Sequence, residues 1–273
     1  MQNRRRNGAE MRRKMFQNNY PVFAQGVVLK ASMLESVSAY QRNMLDMIYG
    51  DRSEGIVTGV EIGIQDGTTI TVSPGIVKFG GMLYHMHMET SIMAYPAAEP
   101  QYLRIRFSEK KEKSDEVQWK SDFILDTEKP DIKKELELCR FVLSNGAVLR
   151  NSYTDLKDYS TLHNTVNIIE TPYSARNRST LSPKFLMEYG HELLSYNLTN
   201  PYDISFAMEC IKGQNISREI IELYICKRLE LPPKSFTNQE LYKNLLSVLD
   251  KAKRGENGTG RTGGMGVRRM IVD

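Results

Sequence analysis

The feature that most restricts the fold of this chain is a change of apolar period. From Gly55 to Arg150 apolar and polar residues alternate and glycines interrupt them, whereas beyond Leu181 the apolar residues return every third or fourth position. A period of two puts alternate side chains on one face of a strand, and a period near 3.6 puts them on one face of a helix. The chain therefore reads as α+β with its strands and helices segregated in sequence, and the β-part, lacking helices between its strands, is expected to be antiparallel.

Within the β-part, Asp66-Gly67, Pro74-Gly75 and Gly80-Gly81 are turn signals, and "TTITV" carries the β-branched residues that suit a pleated surface. "QYLRIRF", "EVQWKSDFIL" and "ELELCRFVLSNGAVL" read as further strands, with "SEKKEKSDE" as an exposed hairpin loop between the first two. The expectation for residues 53–150 is a β-sandwich or barrel-like domain.

A helix precedes it. Ser32 and Glu35 have the spacing of a capping box, Met33, Val37, Tyr40, Met44 and Ile48 make one apolar face, and Gly50 supplies a stop. This amphipathic element, 26–52, needs a surface to pack on, either the domain that follows or a copy of itself. Residues 151–180 show no sustained period and read as a connector over the surface.

From 181 to 254 four short helices are expected to close a small domain. Ser182-Pro183 and Asn200-Pro201 place a cap before proline, Ile216 and Ile221 are spaced as a hydrophobic staple around Ser217, and Thr237 with Glu240 forms a second capping box. Leu241, Leu245, Val248 and Ala252 form the buried stripe of the last helix. Residues 255–273 are rich in glycine and read as a flexible tail.

Charge is concentrated at the ends. Residues 1–14 carry six basic side chains against Glu10, and 251–273 carry six against Glu256 and Asp273. The ends thus hold +9 in a chain of net charge +4, and the interior is at −5. Basic arms of this kind, 1–25 and 255–273, suit docking on an acidic neighbour better than the patch or stripe of a nucleic-acid-binding domain. The arginines of "QYLRIRF", Arg104 and Arg106, are expected to share the exposed face of an ordinary half-buried strand. Cys139, Cys210 and Cys226 lack C-x-x-C spacing and sit in apolar stretches, which reads as buried thiols. No apolar run is long enough to cross a bilayer, and the first residues lack the apolar segment of a signal peptide, so neither membrane nor general secretory export is expected.

Motifs that could carry chemistry are few. "GENGTGRT", Gly255 to Thr262, has phosphate-loop spacing with Arg261 in place of lysine, but it follows a helix and has no strand before it, so a linker is the better reading. His85 and His87 lie two apart on one side of a strand; they are the metal candidates, needing further ligands from other copies at a symmetry axis. No nucleophile elbow, convincingly placed cysteine–histidine pair or carboxylate pair stands out. The expectation is a protein without catalysis, cofactor, resident metal or small-molecule substrate.

"FAQGVVLKASMLESV" followed by "YGDRSEGIVTGVEIGIQDGTTITVSPGIVKFGG", with a G-[IV]-V-x-G turn at Gly55–Gly59 and a V-S-P-G turn from Val72, resembles baseplate and tail-fibre-attachment proteins of contractile phage tails and phage-like, bacteriocin-like particles. The residue usage is similar to that of clostridial and related Firmicute prophages. The resemblance covers residues 20 to about 90. It implies a structural protein present in several copies, a homo-oligomer with a trimer among the options, holding neighbouring baseplate or fibre subunits. Such a protein is made in the bacterial cytoplasm and then resides in the virion or particle. The assembly-interface residues on this reading are Arg4, Arg5, Arg6, Arg12 and Arg13 in the first arm, Met33, Val37, Tyr40, Met44 and Ile48 on the helix, and Arg261, Arg268, Arg269, Met270 and Ile271 in the tail. The chain lacks the fibrous repeats of a receptor-binding fibre and the domains of a piercing hub. The competing readings are a nucleic-acid-binding accessory protein using the basic ends and a carbohydrate-binding tail protein using the β-domain.

Overall fold

A computed structural model describes residues 20–108, 111–112 and 117–255. The chain divides into two units, 1–51 and 52–273.

Among the described residues of the first unit one helix, α1, runs Ala31–Tyr49. The expected capping box does not form. Lys30 is the N-cap, without a side-chain cap bond, so Ser32 lies inside the first turn, where its oxygen cannot close the box. The stop is also not glycine-specific, since Gly50 keeps right-handed dihedrals (φ −60°).

The second unit begins with eleven strands: β1 Gly55–Gly59, β2 Ile62–Gln65, β3 Thr69–Val72, β4 Gly75–Phe79, β5 Met82–Met86, β6 Thr90–Met93, β7 Gln101–Phe107, β8 Lys111–Glu112, β9 Val117–Gln118, β10 Ser121–Asp126 and β11 Glu135–Phe141. They pair antiparallel in three three-stranded sheets, ordered β1-β4-β5, β2-β3-β6 and β10-β7-β11, with β8 and β9 as a two-residue ladder. Helices α2 Pro183–Leu194, α3 Pro201–Cys210, α4 Arg218–Leu229 and α5 Asn238–Lys253 follow. The fold is α+β, as the period change requires.

The hairpin turns form where the glycines predict them. Asp66 and Gly67 both take positive φ (52° and 68°) between β2 and β3, and Gly80 and Gly81 (58° and 75°) join β4 to β5. Paired left-handed residues match the twist of the strands they connect. At Gly59 (φ +65°) a Cβ would stand 2.1 Å from the Pro74 carbonyl oxygen, so strand β1 comes this close to the Pro74-Gly75 turn only through glycine.

Residues 151–180 do not run over the surface. Leu156, Tyr159, Val166, Ile168 and Ile169 are buried in the same apolar cluster as Ile56, Ile70, Leu103 and Phe141 from the sheets and Phe185, Tyr189, Ile225 and Leu241 from the helices. The segment binds its neighbours through isolated bridges, Arg140 with Asn167, Ile56 with Tyr173 and Arg150 with Thr165. Side chains satisfy the remaining backbone: Thr171 donates to the Leu138 carbonyl at 2.6 Å, Ser174 to Ser53 at 2.6 Å and Asn238 to Ile169 at 2.9 Å. A strand that pairs one residue at a time has no reason to alternate, which is why no period betrayed it.

Aromatic rings carry the core from this segment into the helices. Tyr153 stacks on Tyr159 at 3.7 Å, Tyr159 meets Phe185 edge-on, and Phe206 stacks on Tyr224 at 4.0 Å. Two of the expected caps form: Asn200 accepts from the Tyr202 amide at 2.9 Å, and Thr237 and Glu240 close a complete capping box ahead of α5. Ser182 stands at the N-cap of α2 but makes no side-chain cap bond, its place before Pro183 being the part of the expectation that holds. All three cysteines are buried and unbridged.

Candidate assembly surface

Helix α1 has no buried side chain among its 19 residues. At 100° per residue, Met47, Tyr40, Met33, Met44, Val37, Ile48, Gln41, Leu34 and Leu45 fall in that order across an arc of about 160°. Only Gln41 is polar within it. Tyr40 is 52% exposed, Ile48 54% and Met47 80%, with Val37 and Met44 also exposed and Met33 half-buried. The three charges, Glu35, Arg42 and Asp46, stand on the opposite side. Leu34, Leu45 and Met47 belong to this face but escape a reading that follows one line of three- and four-residue steps, because such a line marks the centre of a stripe and not its width. The segment before the helix is exposed and apolar as well, at Tyr20, Val22, Phe23, Val27, Val28 and Leu29. Contiguous exposed apolar surface of this extent is uncommon on a monomeric soluble protein. Arg4, Arg5, Arg6, Arg12, Arg13, Arg261, Arg268, Arg269, Met270, Ile271 and the "GENGTGRT" stretch after Gly255 lie outside the described residues.

Arg104 is not on an exposed face. It is 1% exposed and holds Asp126 with both terminal nitrogens, at 2.5 and 2.8 Å, while its Nε lies 2.9 Å from Glu135. Arg106, half-exposed, meets the same Glu135 at 2.7 Å. The Arg104 guanidinium holds the Asp126 carboxyl below the usual carboxylate range. Strand β7 is central, flanked by β10 and β11, and the carboxylates of both neighbours neutralise its arginines across the ladder. A sequence period distinguishes the two faces of a strand but cannot say that the polar one is covered.

His85 and His87 do converge, with their Nε2 atoms 2.8 Å apart on the exposed end of edge strand β5. No group of three or more potential ligands assembles among the described residues.

Two clefts indent the second unit. One, of about 760 Å³, is lined by Tyr102, Glu137, Arg140, Glu170, Arg178 and Arg218 among others. Its charges mostly answer one another: Arg140 holds Glu137 at 2.6 and 2.8 Å, Arg178 pairs with Glu222, and Arg218 donates to Asn238 at 2.8 Å. Burial raises the Glu170 carboxyl pKa, with Arg140 opposing and Glu137 adding to the rise. The second cleft, of about 910 Å³, is lined by Glu61, Glu89, Asn151, Tyr153, Tyr173 and Asn215 among others. Three of its donors are spent on backbone carbonyls: Asn151 on Ile62, Tyr153 on Val166, and Asn215 on Ile56, Val57 and Ser174. No described helix is long and apolar enough to cross a membrane.

No protein-family model and no curated protein matches the chain. Among solved structures, a chain of the type VI secretion system TssK-TssF-TssG baseplate subcomplex aligns with a TM-score of 0.41 and 10% identity, over 87% of this chain and 100% of that one. A crystal structure of TssK aligns with a TM-score of 0.37 and 8% identity, over 88% of this chain and 72% of that one. Likeness of this strength decides neither family nor function.

Proposed function

We propose that this chain is a non-enzymatic structural part of a contractile-tail or tail-like baseplate, joining neighbouring baseplate or fibre subunits. The observation that carries the reading is α1, a helix whose apolar arc is exposed among the described residues. An isolated helix gains most of its stability from packing that arc, so the element is built to be completed by another surface. The paired charges and committed donors of both clefts fit a scaffold better than a catalyst. The same commitment of Asn151, Tyr153 and Asn215 to backbone weighs against a carbohydrate-binding role for the second cleft. On this reading the protein is made in the bacterial cytoplasm and ends in a particle.

The test is light-scattering chromatography of the full chain, alone and mixed with the products of the adjacent genes. A stable complex that is lost when residues 1–51 are removed is the expected result. Failure to bind any of those products would sink the reading, and salt-sensitive binding to nucleic acid instead would install the alternative.

A further inference from the structure

The turn that follows β11 brings together an electrophile and a nucleophile that nothing else engages. Among the described residues Asn145 is the one asparagine followed by glycine, and both Asn145 and Gly146 are exposed. The Ala147 amide donates to the Ser144 carbonyl at 3.1 Å, and Gly146 has φ +74°, so residues 144–147 form a type II turn with glycine at its third position. Among the described residues the Asn145 side chain makes no hydrogen bond and the Gly146 amide donates none. A Cβ at Gly146 would meet nothing within 4 Å, so no neighbour pins the Asn145–Gly146 peptide, and glycine leaves it free to rotate.

Elsewhere the fold withholds one partner or the other. Asn164 accepts from the Ser144 amide at 3.0 Å, and Asn151 and Asn238 donate to the carbonyls of Ile62 and Ile169. Asn177, Asn197 and Asn244 precede Arg178, Leu198 and Leu245, whose side chains crowd the following amide nitrogen. Asp66-Gly67 offers the same pairing of carboxyl carbon and glycine nitrogen, but a Cβ at Gly67 would stand 2.5 Å from Val148, and the Gly67 carbonyl accepts from the Leu149 amide at 2.8 Å. That turn is held, whereas the turn at Asn145 is not.

We propose that Asn145 is a site of spontaneous covalent modification, its side-chain amide passing through a cyclic imide to aspartate and isoaspartate. The Gly146 nitrogen gives its proton to solvent base and attacks Asn145 Cγ. The bond from Cγ to the side-chain nitrogen breaks, and that nitrogen takes a proton from solvent and leaves as ammonia. Water then opens the ring: addition at Cγ yields aspartate, and addition at the backbone carbonyl carbon yields isoaspartate. The net change is one water consumed and one ammonia released, with no oxidant or reductant. Each converted chain gains one negative charge. The change stays local, because Leu143, whose carbonyl accepts from the Ala97 amide at 3.0 Å, and Leu149 are each 1% exposed and anchor the two ends of the turn. The extent of conversion thus records the age of the chain while the fold persists.

The experiment incubates the full native chain at mildly alkaline pH, in parallel with the same chain unfolded in urea, and digests samples with trypsin at mildly acidic pH. Cleavage after Arg140 and Arg150 releases 141–150 as one peptide, which separates this site from Asn7-Gly8 and Asn257-Gly258, both outside the described residues. The peptide is expected to gain the mass that exchanges an amide for a carboxyl, to split into two products of equal mass, and to do so at a rate within about tenfold of the unfolded chain, since the turn is exposed and unheld. The rate should rise with pH, and Asn145→Gln, which would need a six-membered ring, should remove the gain. A native rate more than about tenfold below the unfolded one would show that the turn protects its asparagine and would overturn the inference. Aspartate without isoaspartate, or a gain that survives Asn145→Gln, would overturn it equally.

Discussion

Arg150 grips Asp158 with both terminal nitrogens, at 2.7 and 2.9 Å, and Thr154 adds its amide and hydroxyl to the same carboxylate at 3.0 and 2.9 Å. The guanidinium, more than any other group, holds the Asp158 carboxyl far below the usual aspartate range. A carboxyl with a depressed folded-state pKa contributes stability at every pH above its unfolded value, near 3.8, and loses it as pH falls toward the folded value. Asp158→Asn is therefore expected to lower unfolding free energy by about 2 kcal/mol at neutral pH. The gap to wild type should narrow steadily below pH 3.8, as read from urea unfolding at a series of pH values. A constant gap would show that the charge is not what matters. Neither this pair nor Arg104 with Asp126 and Glu135 can be read in advance, because each joins residues whose adjacency depends on a turn or a strand pairing.

At the scale of elements, legibility followed how local the determining physics is. The capping box of α5 needs only Thr237, Glu240 and the backbone between them, and it forms as spaced: the Glu240 amide reaches Thr237 Oγ1 at 3.2 Å and the Thr237 amide reaches Glu240 at 2.7 Å. Thr237→Ala is expected to cost about 1 kcal/mol in thermal or urea unfolding. A loss near zero would mean that tertiary packing of Phe236 and Leu241 alone fixes the helix start. The same pattern at Ser32 and Glu35 misleads, because α1 starts two residues too early for Ser32 to cap it. The β2–β3 and β4–β5 hairpins were readable from Asp66-Gly67 and Gly80-Gly81, since two left-handed residues leave the chain few other options.

At the scale of the molecule, the change of period near residue 181 marks a change of element and not of core. One apolar cluster contains Val72 and Leu103 from the sheets, Val166 and Ile169 from the intervening segment, and Leu193, Phe206 and Leu245 from the helices. Near-ultraviolet circular dichroism, which reports packed tyrosines such as Tyr159 and Tyr224, and the far-ultraviolet helical signal should therefore share one denaturant midpoint. Two midpoints would mean that strands and helices are separable domains. The arc of α1 was legible in outline from its apolar residues. Its width and the absence of charge on its rim follow from the sequence as well, once each residue is set at 100° on the helix.

The bond between Ser174 and Ile56, 2.8 Å from amide to carbonyl, and the return bond from Ile56 to Pro172, 2.9 Å, join two segments more than a hundred residues apart. During synthesis from the amino end, β1 leaves the ribosome long before its partner at 172–174 exists. β1 can pair with β4 as soon as that strand emerges, but its far edge at Ile56 waits. Contacts between segments this far apart in sequence form slowly, and here the distant partner is a segment without regular strand or helix of its own at 172–174. Until it arrives, the far edge of β1 lacks both of these bonds.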